Sequence, residues 1–352
     1  MSQVAPAPTT LVRPRGVPAL WAGVTLAFLA AAIVIGIAAG PVDLGLADIV
    51  RSAAARLGLG TSPLGVVDES ILWEIRVPRV VLAALVGATL ALSGATYQGV
   101  FRNALADPYL LGVAAGAGLG ATLAIAYLPR ALHGHQVIPP AAFLGGLLAV
   151  ALTYAVSRSA GRERDAATLV LGGVTVASFF TAVQAFVQQQ NTDTLQEVYS
   201  WILGGLPSSG WSDVVLVLPY VVVAAVVILS HRRVLDVLSV GDAEAASLGV
   251  DVRRTRLVLV LAATVGTAAA VAVSGLIGFV GIIVPHAVRL LAGTSFRGLL
   301  PLSAIAGAGF LVIADVVART ALSPAELPIG IVTAFVGAPF FAIVLRTSRG
   351  GG

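Results

Sequence analysis

Long apolar runs recur along this chain and leave one fold class open. About 20 consecutive apolar residues suffice to cross a bilayer as a helix, and runs of that order begin near Pro18 and continue to Arg346. Inside hydrocarbon every backbone polar group must be paired within the protein, so such runs fold as helices. Hydrophobic residues make up 58% of the 352 residues and charged residues only 11%. We therefore predict an all-α, polytopic membrane protein.

The apolar runs predict one transmembrane domain, residues 18–346, with about ten spans. Their approximate limits are 18–40, 79–101, 109–128, 137–157, 167–190, 211–230, 255–274, 276–292, 299–320 and 328–346. The first run is too long for a cleaved signal peptide, so we expect it to be retained. Residues 1–17 are Pro-rich and polar, which predicts a disordered lead, and residues 347–352 form a short tail. The mildly amphipathic connection 41–78 predicts an interfacial helix.

Small residues are spaced for close contact between helices. Gly112, Gly116 and Gly120 form a GxxxGxxxG ladder. Such spacing lets helix backbones approach each other inside a membrane. The ladder predicts tight packing, but it indicates no particular function.

The basic residues are all arginine, and this excludes one energy source. A phosphate-binding loop of the GxxxxGK[ST] type needs a lysine, and the chain has none. ATP hydrolysis by that route must therefore occur on another chain. There is no cysteine either, so disulfides and thiolate chemistry are excluded. The net charge of +4 is typical of arginines that flank membrane spans rather than of a nucleic-acid site.

Arginine counts predict the orientation of the chain. If the N-terminus is cytoplasmic, fifteen arginines fall on the inside and six on the outside. Positive loops stay cytoplasmic, so we expect both termini inside and the chain in the cytoplasmic membrane. The outside arginines include Arg76, Arg79 and Arg319.

A polar interruption at 231–256 lies on the predicted inner side. It reads HRRVLDVLSVGDAEAASLGVDVRRTR and separates two long apolar runs. Within it, Asp242 can cap the start of a short helix and Gly249 can end it. A short capped helix held between two spans is well placed to press on a cytoplasmic partner.

A few polar side chains lie at membrane depth, where they need a reason to be. Asp315 and Arg319 are four residues apart and can pair on one helix face. From the residues alone, this pair is either structural or a partner contact. His286 follows a proline and is expected to be a packing residue, and His133 and His135 are expected to be loop residues rather than metal ligands. We predict no metal site, and with no nucleophile–base pair the chain is expected to transport rather than to catalyse.

Five ordered blocks resemble the FecCD or BtuC-like permease subunits of ABC importers, over roughly residues 70–346. The blocks are RVPR from Arg76, LSGATYQGVFRNALADPYLLGVAAGAGLGA from Leu92, GDAEAASLGV from Gly241, SGLIGFVGIIVPHAVRLL from Ser274, and ADVVART from Ala314 followed by AELPIGIVTAFVGAPFF from Ala325. Members of this family take up iron–siderophore, haem and cobalamin in bacteria and archaea. The resemblance implies a type II ABC importer permease fold of ten spans.

The resemblance also implies partners. A homodimer of permease subunits is expected to carry two ATP-binding subunits beneath it and a substrate-binding protein above it. ATP and Mg would bind to the ATPase, so this chain is expected to hold no cofactor. The mechanism implied is alternating access, with the coupling helices following the ATPase.

Three groups of residues match functional positions of the family. The ATPase-coupling group is Gly241, Asp242, Ala243, Glu244, Ala245, Ala246, Ser247, Leu248 and Gly249. The group expected to dock the binding protein is Arg76, Arg79 and Arg319, which favours partner contact for Arg319. The cytoplasmic gate group is Asn103, Leu105, Ala166 and Ala167.

One departure concerns the gate. Ala104 stands where the family usually has proline between Asn103 and Leu105, which frees the backbone φ there. The substrate is open among ferric siderophore, haem and cobalamin, and we expect a ferric siderophore because that class is the most numerous. The alternative function is a secondary transporter driven by an ion gradient, for which Asp315 is the candidate ion site.

Overall fold

The computed structural model describes residues 18–129, 137–159, 166–206 and 210–349, and the regular structure in these ranges is helical. The helices are α1 Ala19–Ala38, α2 Leu46–Arg56, α3 Val66–Ser70, α4 Val77–Phe101, α5 Val113–Tyr127, α6 Ile138–Ser159, α7 Ala166–Gln190, α8 Leu195–Ile202, α9 Trp211–Ser230, α10 Arg232–Val240, α11 Asp242–Ser247, α12 Val252–Ser274, α13 Val280–Ala292, α14 Phe296–Thr320 and α15 Ile329–Arg349. The predicted lead 1–17 and the histidines His133 and His135 lie outside the described residues.

The predicted set of spans agrees with the structure. Among the described residues, seven helical segments are at least 18 residues long and apolar enough to cross a membrane, and three shorter helices are also apolar. Together these ten match the ten predicted runs, with boundaries shifted by a few residues. The longest segment, Val66–Phe101, joins α3 to α4 through a π-helical turn at Ile71–Arg76.

Helix α4 occupies the centre of the bundle. It packs against α14, α12, α13 and α9, and most of its residues are buried. A Cβ atom on Gly94 would overlap the backbone of Gly281 in α13, and one on Gly87 would overlap the carbonyl oxygen of Gly307 in α14. Because lipid supplies no hydrophobic force between helices, such close backbone contacts carry much of the packing.

A second group of helices packs around α5. It contacts α6 and α7, and Gly116 and Gly120 approach the backbone of Gly145 and Ala141 in α6. These two members of the predicted ladder confirm its packing role. Gly112 has a different task, because it precedes α5 with a φ of 85°, a conformation that favours glycine.

The predicted helix in the connection 41–78 is α2. Its Ser52 hydroxyl accepts a hydrogen bond from Trp73 Nε1 at 3.0 Å, and the Arg56 guanidinium lies 4.4 Å from the centre of the Trp73 ring. These contacts hold α2 against the start of the long α3–α4 segment.

The helix ends form two faces. We use the name arginine-rich face for the end that contains 102–112, 231–251 and 293–295, which ion pairs between Arg102 and Asp242 and between Arg297 and Asp236 hold together. The opposite face contains 39–45, 191–206 and 321–328, where the backbone N–H of Ile329 donates to Gly204 O at 2.9 Å.

The close contact of α4 with α13 predicts that a methyl group added at Gly94 destabilises the protein. We expect Gly94→Ala to lower the free energy of unfolding by about 1–3 kcal/mol, because the new methyl group would press on the Gly281 backbone. Thermal unfolding in detergent measures the change. The matched control is Gly23→Ala in α1, where nothing lies within 4 Å of the added Cβ. Equal melting temperatures for the two variants would contradict the proposed packing.

Candidate functional site

The predicted coupling segment forms two short helices joined at Gly241. Helix α10 ends at Val240, and α11 begins at Asp242 with Gly241 as its N-cap residue. The prediction that Asp242 caps the helix was therefore wrong, because this residue is the first of α11 and its side chain is used elsewhere. Gly249 does end the segment as predicted, with a φ of 81° and its N–H donating to Ala246 O at 2.9 Å.

Most of the α11 segment is exposed, and Gly241 and Ala245 are its buried residues. Ala245 is buried, whereas Leu248 is 72% exposed. The other exposed members of the segment are Ala243, Glu244, Ala246, Ser247 and Gly249. This arrangement leaves most of the segment free to contact another molecule.

The Asp242 carboxylate joins three parts of the arginine-rich face. Its Oδ1 atom lies 3.0 Å from Arg102 Nη2 and 3.1 Å from Arg256 Nη2, and its Oδ2 atom lies 3.2 Å from Arg256 Nη2. Arg102 follows α4 directly, in a left-handed conformation with a φ of 49°. Thus α11 is connected both to the start of α12 and to the turn that follows α4.

That turn contains the first two predicted gate residues. Asn103 Oδ1 accepts a hydrogen bond from the backbone N–H of Leu105 at 2.9 Å, and Asn103 N donates to Gln98 O at 3.1 Å. The side chain of Asn103 thus closes the turn although Ala104 replaces the usual proline. Leu105 is half exposed.

The remaining gate residues lie at the start of α7. Ala166 is the first residue of that helix, and Ala167 is exposed. The short helical turn Pro108–Leu111, which follows the Asn103 turn in the chain, packs against α7 near Gly173. The gate role of these residues stays a prediction.

Asp107 is the titratable group between the gate turn and that packing contact. Burial raises the pKa of Asp107 to about 6, although the backbone N–H of Tyr109 donates to its carboxylate at 2.7 Å and opposes the shift. The Asp107 carboxyl group therefore keeps its proton to a higher pH than an exposed aspartate does.

The predicted docking arginines lie at the opposite face, and two of them, Arg79 and Arg319, belong to an ion cluster with Asp315 and Glu326. Arg79 donates to Asp315 from Nε at 3.0 Å and from Nη2 at 2.9 Å, and it donates to Glu326 through Nη1 and Nη2, each at 2.9 Å. Asp315 is fully buried, whereas the Glu326 side chain is 39% exposed. Arg319 Nε lies 3.4 Å from Asp315 Oδ2, which confirms the predicted pair.

Backbone carbonyl groups of α1 and the following loop engage the other guanidinium groups. Arg76 donates to Ala38 O at 2.9 Å, to Ile37 O at 3.1 Å and to Val42 O. Arg319 donates to Gly36 O. All three arginines are buried. In this conformation they tie α1, α4 and α14 together, and docking of a partner stays a prediction for them.

Some polar groups of the functional regions were not predicted from the sequence. Glu326 pairs with Arg79, and Arg102 pairs with Asp242. Asp236 in α10 accepts a hydrogen bond from the Phe296 N–H at 2.6 Å and so fixes the start of α14. His286 packs edge-on to the Phe340 ring, with 5.8 Å between ring centres, in line with its expected packing role.

Comparison with known proteins decides the family. A model described as the FecCD transport family matches residues 28–347. The chain belongs to this family. It is therefore a multi-pass membrane permease, as the five sequence blocks predicted.

Named relatives cover most of this permease. It is 41% identical over 331 residues to the uncharacterized ABC transporter permease protein YvrB of Bacillus subtilis, covering 92% of this chain and 93% of that protein. It is 47% identical over 278 residues to the cobalamin import system permease protein BtuC of Halobacterium salinarum, covering 79% and 74%. It is 38% identical over 314 residues to the hemin transport system permease protein HmuU of Yersinia pestis, covering 83% and 92%.

A solved structure shares the fold. A metal-chelate type ABC transporter in an inward-facing conformation superimposes with a TM-score of 0.81 at 30% identity, covering 94% of this permease and 99% of that chain. The predicted type II importer permease fold is confirmed by this similarity.

The ion cluster predicts unequal roles for the two acids that hold Arg79. We expect Asp315→Asn to lower the free energy of unfolding by about 3–5 kcal/mol, because it leaves buried arginine charge uncompensated. Glu326→Gln removes a partly exposed partner and should cost about 1 kcal/mol or less. Thermal unfolding of both variants in the same detergent measures the difference. Equal losses would show that burial does not decide the strength of this cluster.

Proposed function

We propose that this permease is the membrane subunit of an ATP-driven importer. Two copies would enclose a central pathway, two ATPase subunits would bind the arginine-rich face, and a substrate-binding protein would bind the opposite face. The chain itself would carry out no covalent step. Support comes from its family and from relatives whose names describe import permeases.

The observation that carries the proposal is the shared carboxylate of Asp242. This residue begins the exposed α11 segment and holds Arg102, the neighbour of Asn103 in the gate turn. A push on α11 by an ATPase would therefore reach the gate turn through one ion pair. Movement of α12 would follow through Arg256. The spans would then alternate between conformations open to either side.

The same geometry argues against an ion-gradient mechanism. Asp315 is the carboxylate that such a mechanism would use, and it is buried against Arg79 and Arg319. The carboxylate oxygens are therefore already engaged by two fixed guanidinium groups and are not open to a transported ion. Uptake that continues without ATP but stops when the ion gradient is dissipated would overturn our proposal.

We propose a bulky metal-containing organic ligand as the substrate. A ferric siderophore is the first candidate, since the similar solved structure is a metal-chelate type transporter. Cobalamin is the second, because a relative at 47% identity is named as a cobalamin import permease, and haem is the third. Binding of each ligand to the substrate-binding protein of this system would distinguish them.

The link through Arg102 predicts uncoupling by one substitution. We expect Arg102→Gln to lower ATP-dependent uptake about tenfold, within the usual range of coupling free energies. ATP hydrolysis by the co-purified complex should persist, because the exposed surface of α11 is unchanged. Uptake into proteoliposomes and phosphate release are measured on the same preparation. The matched control is Arg254→Gln, an exposed arginine at the start of α12. Normal uptake by Arg102→Gln would refute the proposed link.

The proposed orientation predicts a labelling pattern, and the lack of native cysteine makes it simple to read. Leu248 in the coupling segment and Leu322 at the opposite face are both exposed. In intact cells, an impermeant thiol reagent should label Leu322→Cys and should leave Leu248→Cys unlabelled until the membrane is opened. The reverse pattern would invert the topology and remove α11 from any cytoplasmic ATPase.

A further inference from the structure

A large cavity opens at the arginine-rich face beside the coupling segment. Its volume is about 1370 Å³, and it lies between the end of α6, the start of α7 and the α11–α12 connection. Arg158, Arg253 and Arg256 contribute to its lining, together with Tyr154, Leu169 and Leu257. The volume exceeds the roughly 300–1,000 Å³ of ordinary small-molecule sites. The cavity therefore has room for a large ligand that carries both charge and apolar surface.

Among the described residues that line the cavity, three arginines outnumber two aspartates, so their net charge is positive. Both aspartates already have partners. Asp242 pairs with Arg102 and Arg256. Asp251 caps α12 by accepting a hydrogen bond from the backbone N–H of Arg254 at 2.9 Å. Arg256 Nε is buried and has no hydrogen-bond partner among the described residues. Arg158 and Arg253 are exposed. Guanidinium groups bind phosphate oxygens in a two-pronged geometry, so three of them favour a phosphate-bearing ligand.

An apolar track leads from the membrane-spanning part of the bundle to this cavity. On α6, Leu152 and Val156 are one turn apart and exposed, and they precede Arg158. On α12, Leu261 and Leu257 are exposed in the same way. Helices α6 and α12 pack against each other, and the end of α6 and the start of α12 both line the cavity, so each row runs toward the same basic end. A small soluble anion would not contact these apolar side chains, whereas the acyl chains of a lipid would.

We propose that the cavity binds an anionic phospholipid. Arg158, Arg253 and Arg256 would hold the phosphodiester headgroup, and the acyl chains would lie along the exposed leucine and valine side chains of α6 and α12. Basic pockets between transmembrane helices are suited to anionic headgroups. Since Arg256 also pairs with Asp242, the bound lipid would touch the arginine that anchors α11. The inference depends on the membrane location of the chain and not on its substrate.

The test compares two double variants of the full-length purified permease. Arg158→Gln with Arg253→Gln removes two charges from the cavity. Arg233→Gln with Arg254→Gln removes two exposed charges from the same face outside it. Arg256 is left in place because it pairs with Asp242. The melting temperature is followed against added phosphatidylglycerol or phosphatidylcholine in mixed micelles, because a ligand of the native state raises it in a concentration-dependent way.

We expect phosphatidylglycerol to stabilise the wild-type permease and phosphatidylcholine to do so far less. Loss of both cavity arginines should weaken the apparent affinity for phosphatidylglycerol about 25-fold, or about fivefold for each arginine. The control variant should bind like the wild type. If the cavity double variant does not fold, Arg253→Gln is tested alone. We then expect its apparent affinity for phosphatidylglycerol to be about fivefold weaker than that of the wild type.

Two results would overturn the proposal. Equal affinities of the cavity and control variants would show that the arginines act only as general surface charge. The second result is stabilisation of the wild-type permease by inorganic phosphate at the same concentration as the lipid. It would show that the ligand is a soluble anion and not a lipid.

Discussion

Close backbone contact along α4 is the constraint on which the rest of this permease depends. In a membrane, helices gain little from apolar side chains alone, since lipid tails are equally apolar. Gly87 and Gly94 let α4 lie directly against α14 and α13. The same helix carries Arg79 near one end and ends next to Arg102 at the other. The packing of its middle therefore fixes the ion cluster of the opposite face and the gate turn of the arginine-rich face relative to each other.

The charged groups follow one rule at the two faces. Where arginines are buried, as at Arg79 and Arg319, acids and backbone carbonyl groups of other helices engage their guanidinium groups. Where the pair is half exposed, as at Arg102 and Asp242, the interaction is weaker and can be exchanged. Under the proposed mechanism, the buried cluster would hold one end of the bundle together, while the half-exposed pair would pass movement between elements at the other end.

Patterns within a single helix were predictable from the sequence, and contacts between distant segments were not. Span limits follow from hydrophobic length, and the Asp315–Arg319 pair follows from its four-residue spacing. The main partner of Asp315 is Arg79, 236 residues away, and no local signal reveals it. Likewise Asp242 looks like a helix cap in the sequence, yet Gly241 takes that position and the carboxylate turns to Arg102 and Arg256. Tertiary ion pairs here override local capping preference.

The two glycine contacts of α4 also limit how the bundle can deform. Gly94 contacts the backbone of α13 and Gly87 contacts the backbone of α14. Helix α4 is therefore held at two positions along its length by two different helices. A helix fixed in this way cannot tilt against either neighbour without opening a backbone contact. Under the proposed mechanism, we expect helices α4, α13 and α14 to move together, along with α1, which packs on α14. Displacement relative to them would then fall to the α5–α7 group, and α12 would lie at the boundary because it packs against both α4 and α6.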